Sequence, residues 1–296
     1  MNQEPIADVD QDDFLALVGE IRPELHRYCA RLTGSVIDGE DVVQDAIAKA
    51  CEMLGTLQAK PALRAWLFRI AHNRALDLLR SRALRITEPI EAASDMPDDD
   101  TPDPLALLMQ REAVATAISR FVELPTMQRS VVILKDVLSQ SLNDIADLLD
   151  LSVDGVKGHL ARGRTRLVKI NAHPPTARAT ETYSSANLRY IELFNRRDWE
   201  SLRALLADDV KLHQATYLTR TGADAGMFFT IYARFPRIHL APAWLEGEQV
   251  IAVFEEGPAA DPHHFMRIGW KNGRITSIHD YRYVPYVLDN AELTLG

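Results

Sequence analysis

Residues 38–82 read DGEDVVQDAIAKACEMLGTLQAKPALRAWLFRIAHNRALDLLRSR, and two amphipathic helices are visible in them. In the first, Val43, Ala46, Ile47, Ala50 and Leu54 recur at the three- and four-residue steps that align side chains on one helix face. In the second, Leu63, Trp66, Leu67, Ile70 and Arg74 do the same. Gly55 and the polar run to Lys60 separate the two. Pro61 stands where a first helical turn tolerates proline, because that N–H would have no partner anyway. The first helix opens acidic, with Asp38, Glu40, Asp41 and Asp45. The second is basic almost throughout: Lys60, Arg64, Arg69, Arg74, Arg80, Arg82 and then Arg85, against Asp77 alone. An acidic helix beside a basic one points to two partners of opposite charge.

The 296-residue chain is long enough for more than one domain. No stretch is apolar for long enough to span a membrane. The opening MNQEPIADVDQDD is acidic and lacks the basic-then-apolar layout of a signal peptide, so a cytoplasmic protein is expected. Cys29 and Cys51 fit no metal spacing and read as reduced thiols in helical cores. The net charge of −9 is awkward for a nucleic-acid binder, but nucleic acid responds to local patches. Two such patches exist. One is Lys60–Arg85; the other holds Lys157, Arg162, Arg164, Arg166 and Lys169 with no acid among them.

Upstream, Phe14, Leu17, Val18, Ile21, Leu25 and Tyr28 give a helix from Asp12 to Leu32 its apolar face. Pro23 should kink it or mark its true start. Residues 86–104 combine prolines with acids and read as a linker. Leu105 to Val122 reads as a helix, and Leu124-Pro125-Thr126 opens another. Ser141 can cap a short helix from Leu142 to Leu149, and Ser152 a last one from Val153 to about Lys169. Two helices joined by a tight turn, the second basic, make a helix-turn-helix. Ile145, Ala146, Leu149, Leu151, Val156 and Leu160 would form its hinge. That leaves Lys157, Gly158, His159, Ala161, Arg162 and Arg164 outward, where arginine or lysine can bind guanine in the major groove. Gly163, inside this helix, should weaken it by about 1 kcal/mol relative to alanine.

Residues 171–180, NAHPPTARAT, form a second linker. Beyond it, Tyr183 to Leu206 reads as one or two helices, and alternation runs from Val210 to Tyr217. A short helix, Ala223 to Phe235, precedes strands at Arg237–Glu246, Gln249–Glu255, His263–Lys271 and Arg274–Val284. Asn272-Gly273 is a hairpin turn signal. Helices followed by antiparallel hairpins suggest an α+β domain.

DVVQDAIAKA followed by RAWLFRIAHNRALDLLR resembles the sigma-2 domain of extracytoplasmic-function (ECF) sigma factors, which direct bacterial RNA polymerase to promoters. The stretch LPTMQRSVVILKDVLSQSLNDIADLLDLSVDGVKGHLARGRTRL is similar to the sigma-4 domain of the same family. YIELFNRRDWESLRALLADDVKLH resembles the opening of SnoaL-like domains, which have the NTF2-like cone-shaped fold. The resemblance implies a multidomain chain: a sigma-2 bundle at 10–85, an acidic linker at 86–104, a sigma-4 helix-turn-helix at 105–170, a linker at 171–180 and a SnoaL-like domain at 181–296. It implies polymerase-core contacts at Asp38, Asp41, Val43, Gln44 and Asp45. Minus-ten contacts would fall to Lys60, Arg64, Arg74, Arg80 and Arg82, with bases read in the loop Gly55–Ala62. Minus-thirty-five contacts would come from Lys157, Gly158, His159, Ala161, Arg162 and Arg164, with Lys169 on a phosphate. Gly158 replaces a usual hydroxyl residue of the family, so the resemblance does not fix which promoter sequence is read.

The last domain offers His213, His239, His263, His264, His279, Asp280, Tyr217, Tyr281 and Tyr283 as polar groups. Strand alternation should send His279 and Asp280 to opposite faces, and His263 and His264 likewise. No metal-ligand spacing and no phosphate-cradling glycine loop stands out, so no cofactor is expected. A small apolar ligand lined by Trp244, Met266, Ile268 and Trp270 suits such a domain better than catalysis. Two rival functions remain open: a ligand-responsive helix-turn-helix regulator, and a SnoaL-like enzyme with accessory helices. DVVQDAIAKA argues against the first, because a regulator of that kind has no use for a polymerase-binding helix.

Overall fold

The computed structural model describes residues 11–53, 63–85, 109, 116–173, 182–214, 219–289, 291 and 293–296. The expected linker 86–104, the loop Gly55–Ala62 with Lys60, most of the helix expected from Leu105, the prolines of 171–180, and Tyr217 all lie outside them. Contacts divide the chain into two compact units, Met1–Thr176 and Ala177–Gly296.

The first unit is helical. Helix α1 (Gln11–Thr33) continues through Pro23, so the proline neither ends nor starts it. The turn at Gly34 has φ +82°, where glycine escapes the Cβ clash that other residues meet, and any Cβ there would strike Val122. Helices α2 (Val36–Met53) and α3 (Leu63–Arg85) follow. Their apolar stripes, with Tyr28, Leu25 and Phe14 of α1, bury Val43, Ala46, Ile47, Leu67, Phe68 and Ala71. A 3₁₀ turn at Ile118–Glu123 stands where the sequence predicts the end of a helix, and Ala117 before it is extended. Pro125 caps α4 (Thr126–Val132), which runs into a π-helical turn at Ile133–Val137. Then come α5 (Leu142–Leu149) and α6 (Val153–Asn171).

All these helices share one hydrophobic cluster. A buried arginine fastens it. Arg129 donates to the carbonyls of Leu32, Val122 and Leu124 at 2.6, 2.9 and 2.9 Å, and burial lowers its pKa to about 10. It thereby satisfies the carbonyl near the end of α1 that no helical N–H reaches.

The second unit is a seven-stranded sheet with helices on one face. Its elements are α7 (Ser185–Asn195), α8 (Trp199–Ala204), β1 (Leu206–Gln214), β2 (Thr219–Thr221), α9 (Met227–Tyr232), β3 (His239–Leu245), β4 (Glu248–Phe254), β5 (His264–Lys271), β6 (Arg274–Asp280) and β7 (Leu293–Leu295). The strand order is β2-β1-β6-β5-β4-β3-β7. β1 runs parallel to β6, so the sheet is mixed where sequence predicts antiparallel hairpins alone. The strand expected at Arg274–Val284 ends at Asp280, and it is not the last, because β7 follows it and pairs with β3. Asn272 and Gly273 both have positive φ, 52° and 73°, as a two-residue primed turn requires. Tyr190, Phe194, Phe228, Phe229 and Tyr232 of the helices pack on Ile251, Val253, Met266 and Ile278 of the sheet. Met266 is therefore core, and Ile268 and Trp270 pack against that core. The Trp270 indole N–H donates to Asn187 at 2.8 Å.

Candidate functional site

On helix α2 Asp41 and Asp45 are exposed, one turn apart, and Gln44 is half-buried. Val43 is a correction to the sequence reading. Its side chain is completely buried, because it belongs to the same apolar stripe as Ala46 and Ile47. It positions the helix and offers a partner no surface. Glu40 is also buried and pairs with Arg22 of α1 at 2.5 Å. Asp38 is half-buried and binds Arg82 of α3 at 2.6 Å. The acidic and basic patches therefore touch at one edge.

On α3, Arg74 and Arg80 are exposed, and Arg80 pairs with Asp77 at 3.1 Å. Arg64 binds Glu24 and lies over the Phe68 ring. Arg69 donates to the Asp147 carbonyl of α5 at 2.8 Å. Such exposed pairs contribute about 0–1 kcal/mol each, so a polyanion can displace them. Beneath this face His72 is buried, and its Nδ1 shares a 2.7 Å hydrogen bond with the Tyr28 hydroxyl. Burial, then the charge of Arg80, lowers its pKa from the ordinary 6.5 to about 4.

A histidine held neutral in the fold but free to protonate in the unfolded chain stabilises the fold above its unfolded pKa. Between pH 6.5 and about 4 the unfolded state binds more protons, so stability falls as pH falls, by up to about 3 kcal/mol. Hydrogen exchange of the α3 amides should record this loss. His72→Gln keeps a partner for Tyr28 and cannot titrate, so its acid limb should be flatter. An equally steep limb in the variant would remove His72 as the cause.

The helix-turn-helix forms as its sequence predicts. The Ser141 and Ser152 hydroxyls accept from the backbone N–H groups of Asp144 and Gly155, both at 3.1 Å. Each such cap stabilises its helix by about 1 kcal/mol. Ile145, Ala146, Leu149, Val156 and Leu160 are buried between α5 and α6, and Leu151 is half-buried. Gly163 is explained here: a Cβ at this position would lie 2.6 Å from Val132, so glycine lets α6 close on α4. Lys157, Gly158, His159, Ala161 and Arg162 are half-exposed and Lys169 is exposed. The Arg162 guanidinium lies beside Gly158, where a Cβ would meet it in ordinary van der Waals contact.

Arg164 departs from the outward set. Its Nε and Nη2 donate to the two carboxylate oxygens of Asp136 at 3.0 and 2.7 Å. Asp136 is delivered by the π-helical turn, and its side chain is completely buried. The pair is bidentate, the strong form of such contacts. Sequence alone gave no sign of it, since the partners are 28 positions apart.

In the sheet unit, alternation separates His279 from Asp280 as expected. His279 stacks on His213 with ring centroids 4.4 Å apart, while Asp280 is buried on the other face. There it accepts from the Tyr232 hydroxyl and the Gln214 amide, both at 3.1 Å, and lies 3.1 Å from Nε2 of the buried His264. His263 and His264 depart from the alternation. His263 precedes β5, so the pleat does not constrain it, and the two Nδ1 atoms lie 3.0 Å apart. Asp208, Asp209 and Glu256 are exposed.

Residues 17–85 match the family model for sigma-70 region 2, and residues 116–167 match that for sigma-70, region 4. The chain is 30% identical to the ECF RNA polymerase sigma factor SigG of Mycobacterium tuberculosis over 293 residues, covering 89% of this chain and 76% of that protein. It is 27% identical to SigW of Bacillus subtilis over 174 residues, covering 54% and 89% of the two chains. Among solved structures, the extracytoplasmic function sigma factor SigJ of Mycobacterium tuberculosis is similar at 20% identity and a TM-score of 0.35, covering 90% and 95%.

Proposed function

The chain belongs to the ECF RNA polymerase sigma factors and is an alternative sigma factor directing transcription, and on that premise we propose how its parts divide the task. Residues 10–85 act as the sigma-2 domain and 105–170 as the sigma-4 domain, joined by the acidic linker 86–104. Residues 181–296, after the linker 171–180, form a SnoaL-like domain of the NTF2-like fold. The helices packed on a mixed sheet support that reading.

Asp41, Gln44 and Asp45, with Asp38 at their edge, dock on core polymerase. Lys60, Arg64, Arg74, Arg80 and Arg82 take the minus-ten element, with Arg82 leaving Asp38 for DNA. Lys157, Gly158, His159, Ala161 and Arg162 enter the groove at the minus-thirty-five element, and Lys169 holds a phosphate. Arg164 serves by fixing α6 against the turn that carries Asp136. No helix among the described residues is long and apolar enough to cross a membrane. We read the protein as one that works in the cytoplasm and without catalysis of its own.

The sheet unit is proposed to regulate the sigma domains within the chain. The observation that carries this is the SigG alignment. It spans 89% of the chain, more than the helical unit alone could supply. The linker is short, and a tether of that length keeps the effective concentration of the attached domain high. Run-off transcription with purified polymerase core tests both levels. The full chain should direct promoter-specific initiation, and removing residues 177–296 should change its rate by about tenfold or more. No promoter-specific product from either form would overturn the promoter and polymerase assignments. Equal products from both would overturn regulation in cis alone.

A further inference from the structure

We propose that Glu255, His263 and His264, at one end of the sheet, form a binding site for a divalent transition-metal ion, independent of the polymerase and promoter assignments. Their ligand atoms all lie within 4.8 Å of one another. Strand register brings them together. His264 pairs with Val253 across β4 and β5, the His263 N–H donates to the Val253 carbonyl at 2.9 Å, and Glu255 follows the end of β4.

The hydrogen bonds around His264 decide which of its nitrogens is free. Nε2 lies 3.1 Å from both the Tyr232 hydroxyl and Asp280. The Tyr232 proton is committed to the Asp280 carboxylate, so the hydroxyl and the carboxylate both present acceptors to Nε2. Nε2 therefore carries the ring proton, and Nδ1 is left as a bare lone pair. A carboxylate behind a histidine, with the other nitrogen turned to an ion, is the arrangement that orients metal-ligating imidazoles.

That lone pair faces a second imidazole nitrogen, Nδ1 of His263, at 3.0 Å. Two ring nitrogens this close require a proton or a cation between them. With metal–nitrogen bonds of about 2.05 Å, the separation corresponds to an angle of about 95° at the ion, within the range of octahedral to tetrahedral centres. Glu255 Oε1 stands 3.9 Å from His263 Nδ1, and a small rotation would bring it to the ~3.4 Å that separates tetrahedral ligands. This oxygen is buried and takes no well-directed hydrogen bond; Arg282 Nη2 stands 2.9 Å from the same atom and neutralises it, and an ion would displace that guanidinium. His264 is buried while His263 is exposed, so the site is anchored inside and open on one side for entry and for water. Two imidazoles and a carboxylate suit zinc, nickel or cobalt; calcium and magnesium prefer oxygen alone.

The test is a titration of the tag-free, chelator-treated full chain with cobalt(II), read by its visible d–d absorption. The expected result is a ligand-field spectrum that zinc abolishes by displacement. His263→Ala and Glu255→Gln change side chains that reach solvent and should leave the circular dichroism intact. Each should weaken cobalt binding at least tenfold. Asp280→Asn, which removes the charge behind His264, should weaken it about 10–100-fold. No cobalt spectrum with the unaltered chain would overturn the proposal. So would a spectrum that persists unchanged in both the His263 and Glu255 variants, because the ion would then be bound elsewhere.

Discussion

Replacing Arg164 with alanine should destabilise the helix-turn-helix by about 3–5 kcal/mol, far more than loss of a surface cation. The reason lies in what remains. Asp136 has a completely buried side chain, and Arg164 supplies both of its charge-assisted hydrogen bonds. Removing the guanidinium leaves an anion inside the protein with no counter-charge. Hydrogen exchange of the α6 amides would measure the loss. Lys169→Ala, at an exposed position in the last turn, should leave the same amides within about 0.5 kcal/mol of their original protection. The double replacement Asp136→Leu with Arg164→Leu should recover most of the stability, since an apolar pair of similar volume avoids desolvating two charges. If Arg164→Ala left α6 protection unchanged and only reduced promoter affinity, Arg164 would belong with the DNA contacts instead.

Reversing both exposed acids of α2, Asp41→Lys with Asp45→Lys, should abolish co-purification with core polymerase. The two positions are one helical turn apart and share a face, so the change converts one patch from acidic to basic. Neither side chain enters the core, and circular dichroism should record undiminished helix. Val43→Ala should behave in the opposite way. It removes two buried methyl groups and should lower stability by about 1–3 kcal/mol, while the folded molecules still bind polymerase. Co-purification surviving the double reversal would exclude this face as the docking surface.

These variants mark the boundary between what the sequence carries and what it does not. Helix periodicity, the two serine caps, the Asn-Gly turn and the charge segregation between α2 and α3 are local. Each depends on residues within a turn or two, and each is legible because the backbone satisfies its own hydrogen bonds at that range. The same holds for the helix-turn-helix, whose hinge residues recur at helical spacing. Membership of the family could be read from motif order for the same reason.

Tertiary structure decided the rest. Val43 sits in a motif that invites a surface role, yet the α1–α2–α3 packing turns it inward. Arg164 shares a basic helix with Arg162, but only the fold brings Asp136 beneath it. Gly163 weakens α6 in isolation, but in the fold it lets α4 press against it. The parallel pairing of β1 with β6 and the carboxylate behind His264 join separate strands, and the approach of Glu255 to His263 depends on how β4 and β5 pair. Side-chain type and period determine which face of an element is apolar. They leave open which other face it will meet, because that is set by close packing summed over many contacts, none of which any single segment encodes.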